Sequence, residues 1–74
     1  MKLIHLLDVL TVPTVIRIAS KTNLDGVFHG FAEDANANTP KNYLFGDVTD
    51  VYAEYYESYN RTGVSILVKP YGSR

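Results

Sequence analysis

Apolar residues recur along this chain with two different periods, and the change of period marks the predicted elements. Near the N-terminus the period is that of an amphipathic helix, with leucines at i, i+3, i+4 and i+7: Leu3, Leu6, Leu7 and Leu10. We predict that this helix ends at Thr11-Val12-Pro13, because proline lacks an amide proton and disfavours helical geometry in the residue before it. The following segment, TVIRIAS, is rich in β-branched residues and alternates, which predicts a first strand.

A hairpin is predicted after this strand. SKTNLDG has the composition of a turn, since Asn23 and Asp25 can bond to the local backbone and Gly26 accepts a positive φ. GVFHGFAE is the predicted second strand. Gly30 inside it indicates a bulge or a close backbone approach.

The polar stretch DANANTP predicts a loop that spans residues 33–41. Thr39 and Pro40 predict the start of a single helical turn, with threonine as the cap and proline at the first helical position. Tyr43 and Leu44 would anchor this turn in the core. A second hairpin is predicted from DVTDVYAEYYE and GVSILVKP, in which Val64, Ile66 and Val68 share a face.

The tract VYAEYYESYN holds four of the six tyrosines and fits two structures. As a helix it would place Tyr52, Tyr55, Tyr56 and Tyr59 in one stripe. Strand is favoured, because tyrosine and valine are strand formers and because the apolar GVSILVK segment needs a neighbour in the sheet. A strand would direct Val51, Ala53 and Tyr55 to the core and would display Tyr52, Glu54 and Tyr56.

Composition narrows the class of protein. The chain has 74 residues, which we predict form one small domain, and it contains no cysteine, which favours a reducing, cytoplasmic setting. Its net charge of −1, with the basic residues dispersed, argues against direct binding of nucleic acid. The opening MKLIHLLDVL is too short to span a bilayer, and His5 and Asp8 interrupt it as a signal peptide.

Residues suited to catalysis or metal binding do not form a recognisable motif. His5 and His29 fall on separate predicted elements with no cysteine to join them, so no metal or cofactor is expected. The serines lack the glycine pattern of a nucleophile elbow, and the carboxylate pairs are typical of solvated turns. The sequence therefore predicts a protein that is not an enzyme.

Displayed tyrosines give the positive argument for a binding surface. Tyrosine combines a large contact area with a polar tip and is enriched at protein interfaces. The candidate surface, which we call the acidic aromatic strip, would bind a basic protein surface or imitate the charge of nucleic acid, unless its rings only pack across strands. It consists of Asp50, Tyr52, Glu54, Tyr56, Glu57 and Tyr59.

The order of segments resembles that of small uncharacterised proteins of phages, prophages and other mobile elements of Firmicutes. The resemblance is carried by KLIHLLDVL, PTVIRIAS, GVFHGFAED, VTDVYAEY and GVSILVKP, and it spans nearly the whole chain. This sequence departs from the pattern by a longer DANANTPKN loop and a longer YESYNRTG turn. The resemblance implies an accessory gene product of a mobile element and transfers no functional residue.

Together these observations predict an α+β fold in which an N-terminal helix packs on a four-stranded, mostly antiparallel, strongly twisted sheet, and they leave open whether the sheet curls toward a small barrel. Two functions stay open. One is a cytoplasmic accessory factor of a phage or mobile element that binds a host protein and inhibits, for instance, a defence enzyme. The other is a structural module that assembles with itself into a homodimer through an open sheet edge.

Overall fold

The computed structural model describes residues 1–10 and 14–72. In this part of the chain, three short helices and four strands follow one another as α1 (Leu3–Val9), β1 (Val15–Ser20), β2 (Asn23–Phe31), α2 (Ala32–Asn38), α3 (Lys41–Leu44), β3 (Asp47–Tyr56) and β4 (Arg61–Lys69). A 3₁₀ turn, Glu57–Tyr59, joins the last two strands. The predicted α+β class, with an N-terminal helix and four strands, is confirmed.

The sheet consists of two hairpins that meet along their first and last strands. Its order is β2-β1-β4-β3, in which β1 pairs with β2 and β3 with β4 in antiparallel fashion, while β1 and β4 run parallel in the centre. Two of the three pairings are thus antiparallel. The sheet is open, with β2 and β3 as its edges, and does not close into a barrel.

The main core lies on the face of the sheet that the helices cover. Its strand residues are Ile16 and Ile18 of β1 with Ile66 and Val68 of β4, all nearly inaccessible to solvent. Helix residues that complete this cluster are Leu3, Ala32, Ala35, Tyr43 and Leu44. The predicted leucine stripe of α1 is confirmed, since its members pack against this cluster while His5 and Asp8 are exposed. Its predicted end at Thr11-Val12-Pro13 lies outside the described residues.

The prediction of a loop over residues 33–41 was wrong, because most of that segment is α2. Ala32 and Ala35, three residues apart, are buried and give this short helix one apolar side. Glu33 and Asp34 lie in its first turn, where negative charge is favourable. The polar composition concealed the helix, since its apolar face consists of alanine alone.

Two predicted boundaries also shift. The turn between β1 and β2 contains only Lys21 and Thr22, so β2 begins earlier than predicted and ends at Phe31. Gly26 does adopt a positive φ of 92°, but within β2, where the register against β1 shifts. Thr39 does not cap α3; Pro40 takes that position, and Tyr43 and Leu44 anchor the helix as predicted.

Candidate functional site at the outer strand

The tyrosine tract is a strand, as predicted, and forms most of β3. Its partners in β4 fix which side chains share a face: Tyr52 lies opposite Ser65 and Glu54 opposite Gly63, on the face away from the helices. Glu57 and Tyr59 follow in the 3₁₀ turn. The structure therefore spreads the six residues of the acidic aromatic strip along β3 and the turn that follows it, and it does not display all of them.

Tyr56 is buried, which corrects the prediction that it is displayed. Only 6% of its surface is accessible, and its ring lies over Gly63, where an added Cβ would come 2.8 Å from Tyr56 Cε2. The ring of His29 packs against it with centroids 4.5 Å apart. Tyr56 is thus a structural residue.

Tyr59 reaches back across the sheet to β2. Its hydroxyl donates to the carbonyl oxygen of His29 at 3.4 Å, and its ring contacts those of His29 and Phe31 at centroid distances of 5.2 and 5.5 Å. Together with Tyr56 it covers part of the face that the helices leave open, the face on which Val15 is fully buried. No local sequence signal indicates this contact, because the rings are about 30 residues apart along the chain.

A network of polar contacts joins Tyr56 to Arg17 through Ser65 and Glu54. The Tyr56 hydroxyl lies 2.5 Å from Ser65 Oγ, Ser65 donates to Glu54 Oε1, and Arg17 Nη2 lies 3.7 Å from that same oxygen. Burial raises the pKa of Tyr56, and the negative charge of Glu54 adds to the shift. These hydrogen bonds and the ion pair hold β1, β3 and β4 together. Ser65 is 1% exposed and already shared by two partners, so it is not an accessible nucleophile.

Val51, Ala53 and Tyr55 were predicted to face the core, and this was wrong. They lie on the same face as Val64 and Ile66, but at the edge of the sheet, and all three are exposed. Val51 is 52% and Tyr55 55% accessible, and Tyr52 on the opposite face is 44% accessible. The apolar surface of β3 is therefore presented to solvent on both sides.

Within residues 1–10 and 14–72, the outer edge of β3 is covered at its beginning only. There the Val48 amide donates to the carbonyl oxygen of Met1 at 2.8 Å, and the Leu3 amide donates to that of Gly46 at 3.1 Å. From Thr49 to Tyr56 no strand of the described residues pairs with this edge. We call this stretch the open edge.

The remaining surface does not form a pocket of the size that usually binds a small molecule, or a cluster of metal ligands, within the described residues. A shallow cavity of about 220 Å³ lies between the β1–β2 turn and the end of β4, beside Lys21, Thr49 and Lys69. It is smaller than the pockets of roughly 300–1,000 Å³ that hold small molecules. Within residues 1–10 and 14–72, no three His, Asp or Glu side chains are grouped so that they could hold a metal ion. None of the described helices is long and apolar enough to cross a membrane.

Comparison of the chain with protein-family models, curated proteins and solved structures gave no match. The open edge and the side chains beside it are therefore the basis for a functional assignment.

Proposed function

We propose that this protein is a small, non-enzymatic protein-binding factor, and that an extended segment of its partner adds to the sheet at the open edge. The observation that carries this proposal is an edge strand with exposed apolar side chains on both faces, with which no other strand in the described part of the chain pairs from Thr49 to Tyr56. Unpaired amide and carbonyl groups of an edge strand are a template for a further strand.

The open edge is only partly protected against such pairing. Lysine and proline are the residues that most often protect an edge, and β3, with the sequence DVTDVYAEYY, contains neither. A bulge at Thr49 disturbs the register near the start of the strand, and the remainder pairs regularly with β4. The seven residues from Asp50 to Tyr56 are thus available to a partner.

Side chains on either side of the open edge define the partner. Val51 and Tyr55 would contact apolar residues of the added strand on one face. On the other face Tyr52 and Glu54 would favour residues with a long apolar stem and a positive charge, since alternate side chains give such complexes their specificity. Asp50 adds negative charge, so a strand that alternates apolar and basic residues fits best.

The resemblance to proteins of phages and mobile elements supports a partner in the host cytoplasm. A factor that occupies a strand or an edge of a host defence protein would inhibit it without any chemistry of its own. This assignment rests on the resemblance and on the open edge together. The buried side chain of Tyr56 is not part of the contact surface, although its backbone groups belong to the open edge.

Affinity capture from host lysate tests the proposal with two matched variants. Val51→Lys combined with Tyr55→Lys places charges at exposed positions of the open edge, while Glu33→Lys changes an exposed residue of α2. We expect a host protein retained by the wild type and by Glu33→Lys to be lost by the edge variant. Hydrogen exchange on the complex should then show protection of amides between Thr49 and Tyr56.

Equal retention by the two variants, or no host protein retained by the wild type, would contradict the proposal. Circular dichroism of both variants ensures that loss of binding is not loss of fold. A variant of Tyr56 would be unsuitable here, because this residue is buried and its truncation destabilises the protein.

A further inference from the structure

We infer that the open edge also binds a second copy of this chain, as an antiparallel β3–β3 pair centred on Ala53. This inference rests on the proposed function in one respect, since both use the same edge. Its basis is the order of residues along β3, which is self-complementary in that register and not in the neighbouring ones.

Symmetry limits the possible registers. Most homodimers have two-fold symmetry, so that residue i of one copy contacts residue j of the other and the reverse. When the axis is perpendicular to the sheet, the strands run antiparallel and each face continues across the junction. Directly opposite side chains then share a face, and the axis passes beside one residue that lies opposite its own copy.

Two registers bring like charges together. With Tyr52 at the axis, Asp50 of each copy lies opposite Glu54 of the other, so two pairs of carboxylates oppose each other. With Glu54 at the axis, the two Glu54 carboxylates face each other. Like charges directly opposite on a sheet are destabilising.

Two further registers are too short. With Val51 at the axis, pairing would have to extend to Val48, whose amide is already bonded to Met1, and would cross the bulge at Thr49. With Tyr55 at the axis, only Glu54 to Tyr56 remain within the strand. Neither register uses the full open edge.

The register centred on Ala53 avoids all these conflicts. It pairs Val51 with Tyr55 of the second copy, Tyr52 with Glu54, and Asp50 with Tyr56, each twice, so that seven residues of each chain take part. Aromatic and β-branched residues are favourable partners across a sheet. The pairing would cover Val51 and Tyr55, which are 52% and 55% accessible in the single chain.

Self-pairing has a consequence for the binding of other proteins. The second copy occupies the same amide and carbonyl groups that a partner strand needs, so the partner must displace it. Weakening the dimer without altering the edge groups should therefore speed the binding of the partner.

Single cysteines test the register, because the natural chain has none. Opposite residues of an antiparallel pair have Cβ atoms about 4.5–5.5 Å apart, close to what a disulfide requires. We expect Ala53→Cys to form a covalent dimer under mild oxidation, while Tyr52→Cys does not. Val51→Cys and Tyr55→Cys should each remain monomeric on reducing-agent-free gels but cross-link when mixed.

Light scattering of the wild type over a range of concentrations accompanies the cross-linking, and its mass should double as concentration rises. A mass that stays monomeric throughout would overturn the inference, as would cross-linking of Tyr52→Cys in preference to Ala53→Cys. The two proposals can fail separately. A wild-type protein that dimerises in this register but retains no host protein contradicts the proposed function alone. A wild-type protein that stays monomeric but retains a host protein contradicts the β3–β3 dimer alone.

Discussion

Truncation of Tyr56 to alanine separates a structural role for this residue from a role in binding. The side chain is 6% exposed, packs over Gly63 and against His29, and bonds to Ser65. Removal of a buried aromatic ring costs about 3–5 kcal/mol. A domain of 74 residues has a total stability of about 4–11 kcal/mol, at 0.05–0.15 kcal/mol per residue. Tyr56→Ala should therefore remove between about a quarter and all of the stability.

Tyr56→Phe separates the contribution of the ring to the free energy of unfolding from that of the hydroxyl. It leaves the packing intact and removes one buried hydrogen bond, for which the loss is about 0.5–1.5 kcal/mol. Because Ser65 still donates to Glu54, no partner is left wholly unbonded. For a domain of this size, about 1 kcal/mol corresponds to a fall in Tm of about 4–8 °C.

Urea unfolding followed by circular dichroism measures these losses, at one fixed protein concentration because self-association adds to apparent stability. Tyr52→Ala is the matched control, since this tyrosine lies on the same face but is 44% exposed. Its loss should remain within about 0.5 kcal/mol, as for most surface substitutions. If Tyr56→Ala and Tyr52→Ala lose the same amount, the assignment of Tyr56 to the interior is refuted.

Three other measurements test the packing of Tyr56 and the bulge in β2. The pKa of Tyr56 is raised above its usual value of 10.0, so the stability that this shift contributes is complete below pH 10 and should be lost as the pH rises further. Urea unfolding across this pH range should show a fall in the free energy of unfolding, and this fall should be smaller in Tyr56→Phe. Gly63→Ala would place a Cβ against the carbonyl oxygen of Val15 and the Tyr56 ring, and calorimetry should show a loss of about 1–3 kcal/mol or more, whereas an unchanged Tm would contradict the close approach. Gly26 has a positive φ of 92°, and a Cβ added there would lie 2.9 Å from the carbonyl oxygen of Ile18. Gly26→Ala should therefore also lower the Tm by several degrees, and a rise in Tm would show that β2 is not bulged there.

Elements with a clear local period could be predicted from the sequence. The leucine spacing of α1 and the alternation of apolar residues in β4 reflect one apolar face packed on the core, while the β-branched run of β1 reflects a central strand buried on both faces. In each case residue order alone indicates the element. The strand conformation of the tyrosine tract followed in the same way from its composition and from the need of β4 for a neighbour. The alanine face of α2 was too small to give such a signal.

The sequence alone determined that this chain has an N-terminal helix, two hairpins and a tyrosine-rich strand. Tertiary structure decided which side of that strand is covered. Alternation assigns Val51 and Tyr55 to one face and Tyr52 and Tyr56 to the other, but burial depends on what packs there. Because β3 lies at the edge of the sheet, Val51 and Tyr55 are left exposed on the helix-covered face, while Tyr56 is buried over Gly63 of β4 beside His29 of the distant strand β2.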